Sequence, residues 1–269
     1  MHIISFIIVR LYPSSRLMSE IHRSKSERCN FAICVNFNKL FNLCEFRIKA
    51  INMFIQSLHL HTNDLTTTKK FYSQLLQVPV IKESEKIVAF AFGHSALYFH
   101  TSLEKNPFYH VAFSVPNNKL EEALQWVSDK TAILPYSDTE MIANFTGWNA
   151  KSFYFHDNNE NILEFITHYD LKTSSSQPFN AALITGISEI GITVEDVPHA
   201  CNEFHTLFHL PYFSKGPQLH DFGVMGDANG MFIVSKTGRG WVPTSRPCEK
   251  HWTKVLIENE GVKNEFVFE

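Results

Sequence analysis

The feature that most constrains this chain is a change of hydrophobic period that recurs in the same order along its length. Phe54–Thr62 alternates apolar and polar residues as a half-buried strand does, and Leu65, Phe71, Tyr72, Leu75 and Leu76 then fall on one helical face. Asp64 is placed to cap that helix, which is expected over Leu65–Gln77, and Pro79 to end it. Lys86–Phe92 and Ala96–Thr101 alternate again across a Gly93-His94 turn, which completes a βαβββ module.

The pattern restarts at Tyr109–Val115. Asn117 or Asn118 is expected to cap a helix through about Ser128 that buries Leu120, Leu124 and Val127, and Lys151–His156 and Asn161–Thr167 pair across the turn HDNNEN. With the helix starts in register, HLHTNDLTTTKKFY lies over FSVPNNKLEEALQW, an internal repeat of about fifty-five residues. A third module follows the polar stretch Asp170–Pro178: a strand at Ile187–Val194, a helix opened by Asp196 or Pro198, and a hairpin, Leu219–Met225 with Met231–Ser235, over GDANG. Beyond Gly238–Pro247 only Thr253–Ile257 is strand-like, so a fourth module is expected to be abbreviated.

The implied class is α+β, with repeated βαβββ modules forming curled mixed sheets around a cup. One complete two-module domain is expected over residues 53–169, a linker over 170–185, and a truncated second domain over 186–269. The 269 residues are 44% apolar, enough for a sizeable core, and a net charge of −3 gives no footprint for nucleic acid or an anionic membrane surface. Residues 1–52 differ, carrying a net charge of +5 and Cys29, Cys34 and Cys44. Their run Ile3–Val9 is short, follows no cationic segment and is cut by Arg10, so it makes a poor signal sequence. Residues 1–52 therefore read as an extension outside the repeat, either upstream of a start at Met53 or a targeting segment. Five cysteines without metal-type spacing point to a reducing compartment, hence a cytoplasmic location.

The repeated modules, with YHVAFSVPNNKLEEAL and SFYFHDNNENILEFI, resemble the vicinal oxygen chelate superfamily. That superfamily includes glyoxalase I, extradiol dioxygenases and fosfomycin- and bleomycin-resistance proteins. The likeness runs from about Phe54 to Lys236 and is most specific over residues 153–166. It implies that two modules pair into a cup around a divalent metal, Fe, Mn, Zn or Ni. The ligands are implied to be a His on the first strand of each module and a Glu on the last. His110 and Glu164 match those positions in the second module. In the first, the ligand position falls on Ser57, a poor ligand for such ions.

Ser57, His59 and His61 share a strand face, so His59 and His61 are expected to line the cup and contact substrate, with His59 an alternative ligand. His100, on the last strand of module one, is expected to complete a set with His110 and Glu164, giving the two-His-one-carboxylate arrangement of non-heme iron oxygenases. Tyr98 lines the cup and Trp148, in an aromatic segment at 135–150, closes over it, which implies a partly apolar substrate. Glu189 occupies the ligand position of module three and His251 precedes the final strand; with the fourth module abbreviated this half is expected to be vestigial or structural, and Arg239 and Trp241 either reach a ligand or, as the favoured reading, pack at the domain seam.

The resemblance implies a metal-dependent lyase or dioxygenase, monomeric or homodimeric, in which a small oxygen-bearing substrate chelates the metal and Glu164 moves a proton. The alternatives are a metal-free protein that sequesters a small molecule, as bleomycin-resistance members do, and a scaffold that has lost its activity.

Overall fold

The computed structural model describes residues 52–103 and 106–269. The expectations for Ile3–Val9 and for Cys29, Cys34 and Cys44 lie outside the described residues. In module one, β1 (Met53–Thr62) leads to α1 (Leu65–Lys70), which widens into a π-helical turn over Phe71–Leu75, and then to β2 (Val80–Glu83), β3 (Ile87–Phe92) and β4 (Ser95–Thr101). Asp64 caps α1 as expected, its carboxylate accepting from the Thr67 amide. β4 returns parallel to β1, so His59 lies beside Tyr98 and His61 beside His100.

Module two repeats the order with β5 (His110–Ser114), α2 (Leu120–Ser128), β6 (Ile133–Leu134), β7 (Ala143–Phe145), β8 (Ala150–His156) and β9 (Ile162–His168). α2 starts one or two residues later than a cap at Asn118 or Asn117 would set it, and Lys119 precedes it without a side-chain cap. Asn117 and Asn118 instead donate to the Leu171 and Ser175 carbonyls and anchor the polar stretch that leads to module three. Module three consists of β10 (Gly186–Val194), α3 (Val197–Phe208), β11 (Phe222–Asp227) and β12 (Gly230–Lys236), with Asp196 capping α3. A small hairpin, β13 (Gly240–Trp241) with β14 (Arg246–Pro247), precedes the fourth module, which has a full strand pair, β15 (Thr253–Asn259) and β16 (Val262–Phe268). The sequence reading missed β16 because its polar residues weaken the alternation.

Fourteen of these strands form one continuous, curled sheet. The pairing of modules differs from the expected one. The first strand of module two, β5, pairs antiparallel with the first strand of module three, β10, whereas β1 pairs with β15. Modules two and three therefore share one cup and modules one and four another; modules one and two do not face each other. The two halves join at a single β1–β10 register pair, Ile55 with Ile187. There the buried Ser95 hydroxyl donates to the Ile55 carbonyl (2.6 Å) and accepts from the Ile187 amide (2.9 Å).

The helices cover the convex face, burying Tyr72, Phe90, Phe99, Phe113, Phe165, Phe204 and Phe266 in one continuous core. Each fully buried aromatic contributes about 1.5–3 kcal/mol relative to exposure. The Tyr72 hydroxyl donates to the buried Asp157 carboxylate (2.8 Å), which also receives the Asn159 and Asn161 amides, so the HDNNEN turn is fastened to module one. Among the described residues no helix is long and apolar enough to cross a membrane.

Candidate metal centre

β5 is the middle strand of the inner cup. Its Ala112 is in register with Glu164 of parallel β9 on one side and with Glu189 of antiparallel β10 on the other. His110 stands one rung away on the same face of β5. The small Ala112 side chain leaves room above it, and one donor atom from each of His110, Glu164 and Glu189 lies within 4.8 Å of the others. His110 Nε2 and Glu164 Oε2 are 2.9 Å apart. All three residues are buried, at 6%, 2% and 3% exposure.

Two carboxylates and one imidazole in an apolar cup are electrostatically unbalanced. Burial, and then the neighbouring Glu164, push the Glu189 carboxyl well above its usual range. Tyr154, opposite Glu164 on β8, is likewise raised by burial and by that carboxylate. Farther along β9, burial lowers His168 to about 4, so its ring is neutral near pH 7. Glu189 Oε1, His110 Nδ1 and both His168 ring nitrogens lack hydrogen-bond partners among the described residues. Buried polar atoms in native proteins rarely lack a partner, and two of these, Glu189 Oε1 and His110 Nδ1, belong to the cluster itself, which marks it as a place for a bound group. Short carboxylate and imidazole donors of this kind suit a first-row divalent cation.

Aromatic side chains close the cup. The Trp241 ring packs over His110 with centroids 5.1 Å apart, and it fits because residue 191 is glycine: a Cβ there would come within 2.6 Å of the indole. A small cavity of about 20 Å³, lined by His110, Gly191, Trp241 and His251, lies beside the ring and has room for about one water or ion. Trp148 and Phe145 pack against Ala112, Ala150 and Ile166, and Trp148 meets Phe213 edge-on. Ile233, beside Gly191 on β12, stands where module three would present the counterpart of Glu164, so the cup offers three donors and one apolar position.

The structure thus brings together His110, Glu164 and Trp148. It does not bring His100 to them. His100 lies on β4, separated from β5 by β1 and β10, and its Nε2 is 2.9 Å from His59 Nδ1. The third member of the cluster is Glu189, in the half expected to be vestigial or structural because its fourth module looks abbreviated. The signal was present: an acid between Ser188 and Ile190 in an apolar strand has the same context as Glu164 between Leu163 and Phe165. Trp241 seals the site rather than a domain seam.

His59, His61, Tyr98 and His100 line the outer cup instead. Register makes Ser57 the counterpart of His110, His59 of Ala112, Tyr98 of Glu164 and Lys254 of Glu189. No residue at those three outer-cup donor positions is an imidazole or a carboxylate.

No protein-family model matches the sequence, and none of the curated proteins compared with it does. Among solved structures, a candidate dioxygenase from Bacillus subtilis superimposes with a TM-score of 0.54 over 80% of this chain and 85% of that one, at 11% identity. The chain has the vicinal oxygen chelate fold. A glyoxalase I variant from Zea mays is 10% identical over 81% of this chain and 93% of its own, with a TM-score of 0.49. A glyoxalase/bleomycin resistance protein/dioxygenase from Nocardioides is 17% identical and covers 46% of this chain and 89% of its own, with a TM-score of 0.36. Within the vicinal oxygen chelate fold, the triad occupies the first strands of two paired modules and the last strand of one of them.

Proposed function

We propose that the protein is a metal-dependent enzyme, a lyase or dioxygenase acting on a small, partly apolar substrate that bears adjacent oxygens. The observation that carries this reading is the buried triad of His110, Glu164 and Glu189, with its donor atoms within 4.8 Å of one another. These three residues would hold a divalent cation, Fe, Mn, Zn or Ni. When bound, such an ion supplies Lewis acidity to the substrate oxygens.

The chain's own residues do the rest. Glu189, with Oε1 unpartnered and its carboxyl pushed up by burial and by Glu164, would give up its proton as the cation is taken up. The Tyr154 hydroxyl, beside Glu164, stays protonated and serves as a donor. Trp241, Trp148 and Phe213 exclude water, and substrate enters when the 240–247 hairpin is displaced from His110. The free, buried thiols Cys201 and Cys248 are in keeping with a cytoplasmic setting. The test is elemental analysis after reconstitution. An equivalent of metal that wild type retains and that His110→Ala and Glu164→Gln lose is the expected result, and the absence of any such equivalent overturns the reading.

A second reading, a metal-free protein that sequesters an aromatic molecule, is favoured by Ile233 at the fourth donor position and by the aromatic closure of the cup. Ligand binding unchanged by a chelator supports it; catalytic turnover abolished by the chelator excludes it.

A further inference from the structure

The outer cup has Ser57, Tyr98 and Lys254 where the inner cup has its triad, yet two imidazoles meet one rung away. His59 of β1 and His100 of β4 are diagonal neighbours across parallel strands, with Nδ1 and Nε2 2.9 Å apart. Two nitrogens bound to one ion at about 2.1 Å and at right angles are separated by about 3 Å, so the pair already has the spacing of a ligand edge.

The surroundings support ligation. His59 Nε2 lies 3.3 Å from Ser57 Oγ, which can accept its proton and leave Nδ1 as the nitrogen with a lone pair. This is the arrangement of metal-binding histidines, whose second nitrogen donates to an oxygen that fixes tautomer and ring orientation. Tyr98 stacks on the His59 ring with centroids 4.2 Å apart, and Trp252 meets the His100 ring edge-on at 5.5 Å, so both rings are braced. Burial, His100, Lys254 and Lys82 lower His59 to about 4, so it is neutral near pH 7. Glu265, the nearby acid on β16, is paired with Lys254 (2.8 Å). A site of imidazoles without carboxylates selects late first-row ions over Mg²⁺, Ca²⁺ or Mn²⁺.

We infer that His59 Nδ1 and His100 Nε2 form a second metal site, a two-histidine chelate for Zn²⁺, Ni²⁺ or Cu²⁺. Its remaining coordination positions face the open cup, where water or a small anion can fill them. Binding moves the His100 ring proton from Nε2 to Nδ1 and turns each ring until both lone pairs meet at the ion. The site is independent of the triad, since it uses other strands and the other pair of modules.

The test titrates Zn²⁺ into the full chain by calorimetry, with bound metal counted by elemental analysis. Wild type is expected to take two equivalents, and His110→Ala to keep one that is lost in His59→Ala and His100→Ala. His100→Gln, which keeps a hydrogen-bonding partner for His59 but ligates poorly, is expected to lose the same equivalent with near-UV circular dichroism unchanged. Zn²⁺ uptake by His110→Ala that His100→Ala and His100→Gln leave unaltered, or no uptake by His110→Ala, overturns the inference and makes the contact an ordinary hydrogen bond. A wild type that takes up only the equivalent lost in His59→Ala and His100→Ala, with none sensitive to His110→Ala, overturns the proposed function and leaves this site standing.

Discussion

Glu164 and Glu189 flank the same residue, Ala112, from opposite sides of β5, which puts two carboxylates into one apolar cup with a single imidazole between them and solvent excluded. Such a cluster destabilises the metal-free protein, and removing one charge should show it. The Glu189 carboxyl is raised in the folded state, so its penalty is absent below the ordinary carboxylate range near 4.5 and grows as pH rises. Glu189→Gln is expected to stabilise the metal-free protein at pH 8 by about 1–4 kcal/mol and hardly at all at pH 4, while weakening metal uptake. Urea denaturation in chelator at the two pH values checks this; equal effects at both count against it.

Removing the imidazole should do the reverse. His110→Ala leaves Glu164 buried without its 2.9 Å partner, and the loss of one member of a buried pair costs about 3–5 kcal/mol. His110→Ala in a Glu164→Gln background should cost much less, because the charge is already gone. A double-mutant cycle read by urea midpoints measures the difference.

His168 gives the protein an acid-sensitive element. Burial lowers its pKa from 6.5 to about 4, so the unfolded chain binds a proton that the folded chain refuses. Stability is therefore retained above pH 6.5 and lost as pH falls towards 4, by up to about 3 kcal/mol. His168→Leu should flatten the pH dependence of the denaturation midpoint across that window, and an unchanged slope would count against the neutral ring.

Gly191→Ala tests the seal over the triad. The added Cβ would meet Trp241 at 2.6 Å and the His110 Cβ at 3.2 Å, so the indole must move. A cost of about 1–3 kcal/mol is expected, together with a red shift of tryptophan emission and faster metal uptake in stopped flow. Unchanged emission and uptake would show that Trp241 does not gate the site.

Much of this was legible in the sequence because it is local. The switch of hydrophobic period located three modules, and Asp64 and Asp196 marked helix starts through short-range capping. His110 and Glu164 were singled out through the superfamily resemblance and are 2.9 Å apart. What was not legible is which first strand pairs with which. Alternation says that Ser57, His59 and His61 share a face of the first strand, but not that β15 lies beside β1 and β10 beside β5. That one unknown moved the third member of the cluster from His100 to Glu189. Asn117 and Asn118 misled for a related reason, since their amides serve a segment more than fifty residues onward rather than the helix that follows.

The nested pairing of modules also orders assembly in time. The inner cup closes when Ala112 meets Glu189, about 77 residues later, whereas the outer cup needs His59 to meet Lys254, about 195 residues later. Loop entropy separates the two closures by less than about 1 kcal/mol, so the larger effect is on rate. The triad-bearing half can condense first, and the other half, its strands drawn from far ends of the chain, then joins it where Ile55 meets Ile187.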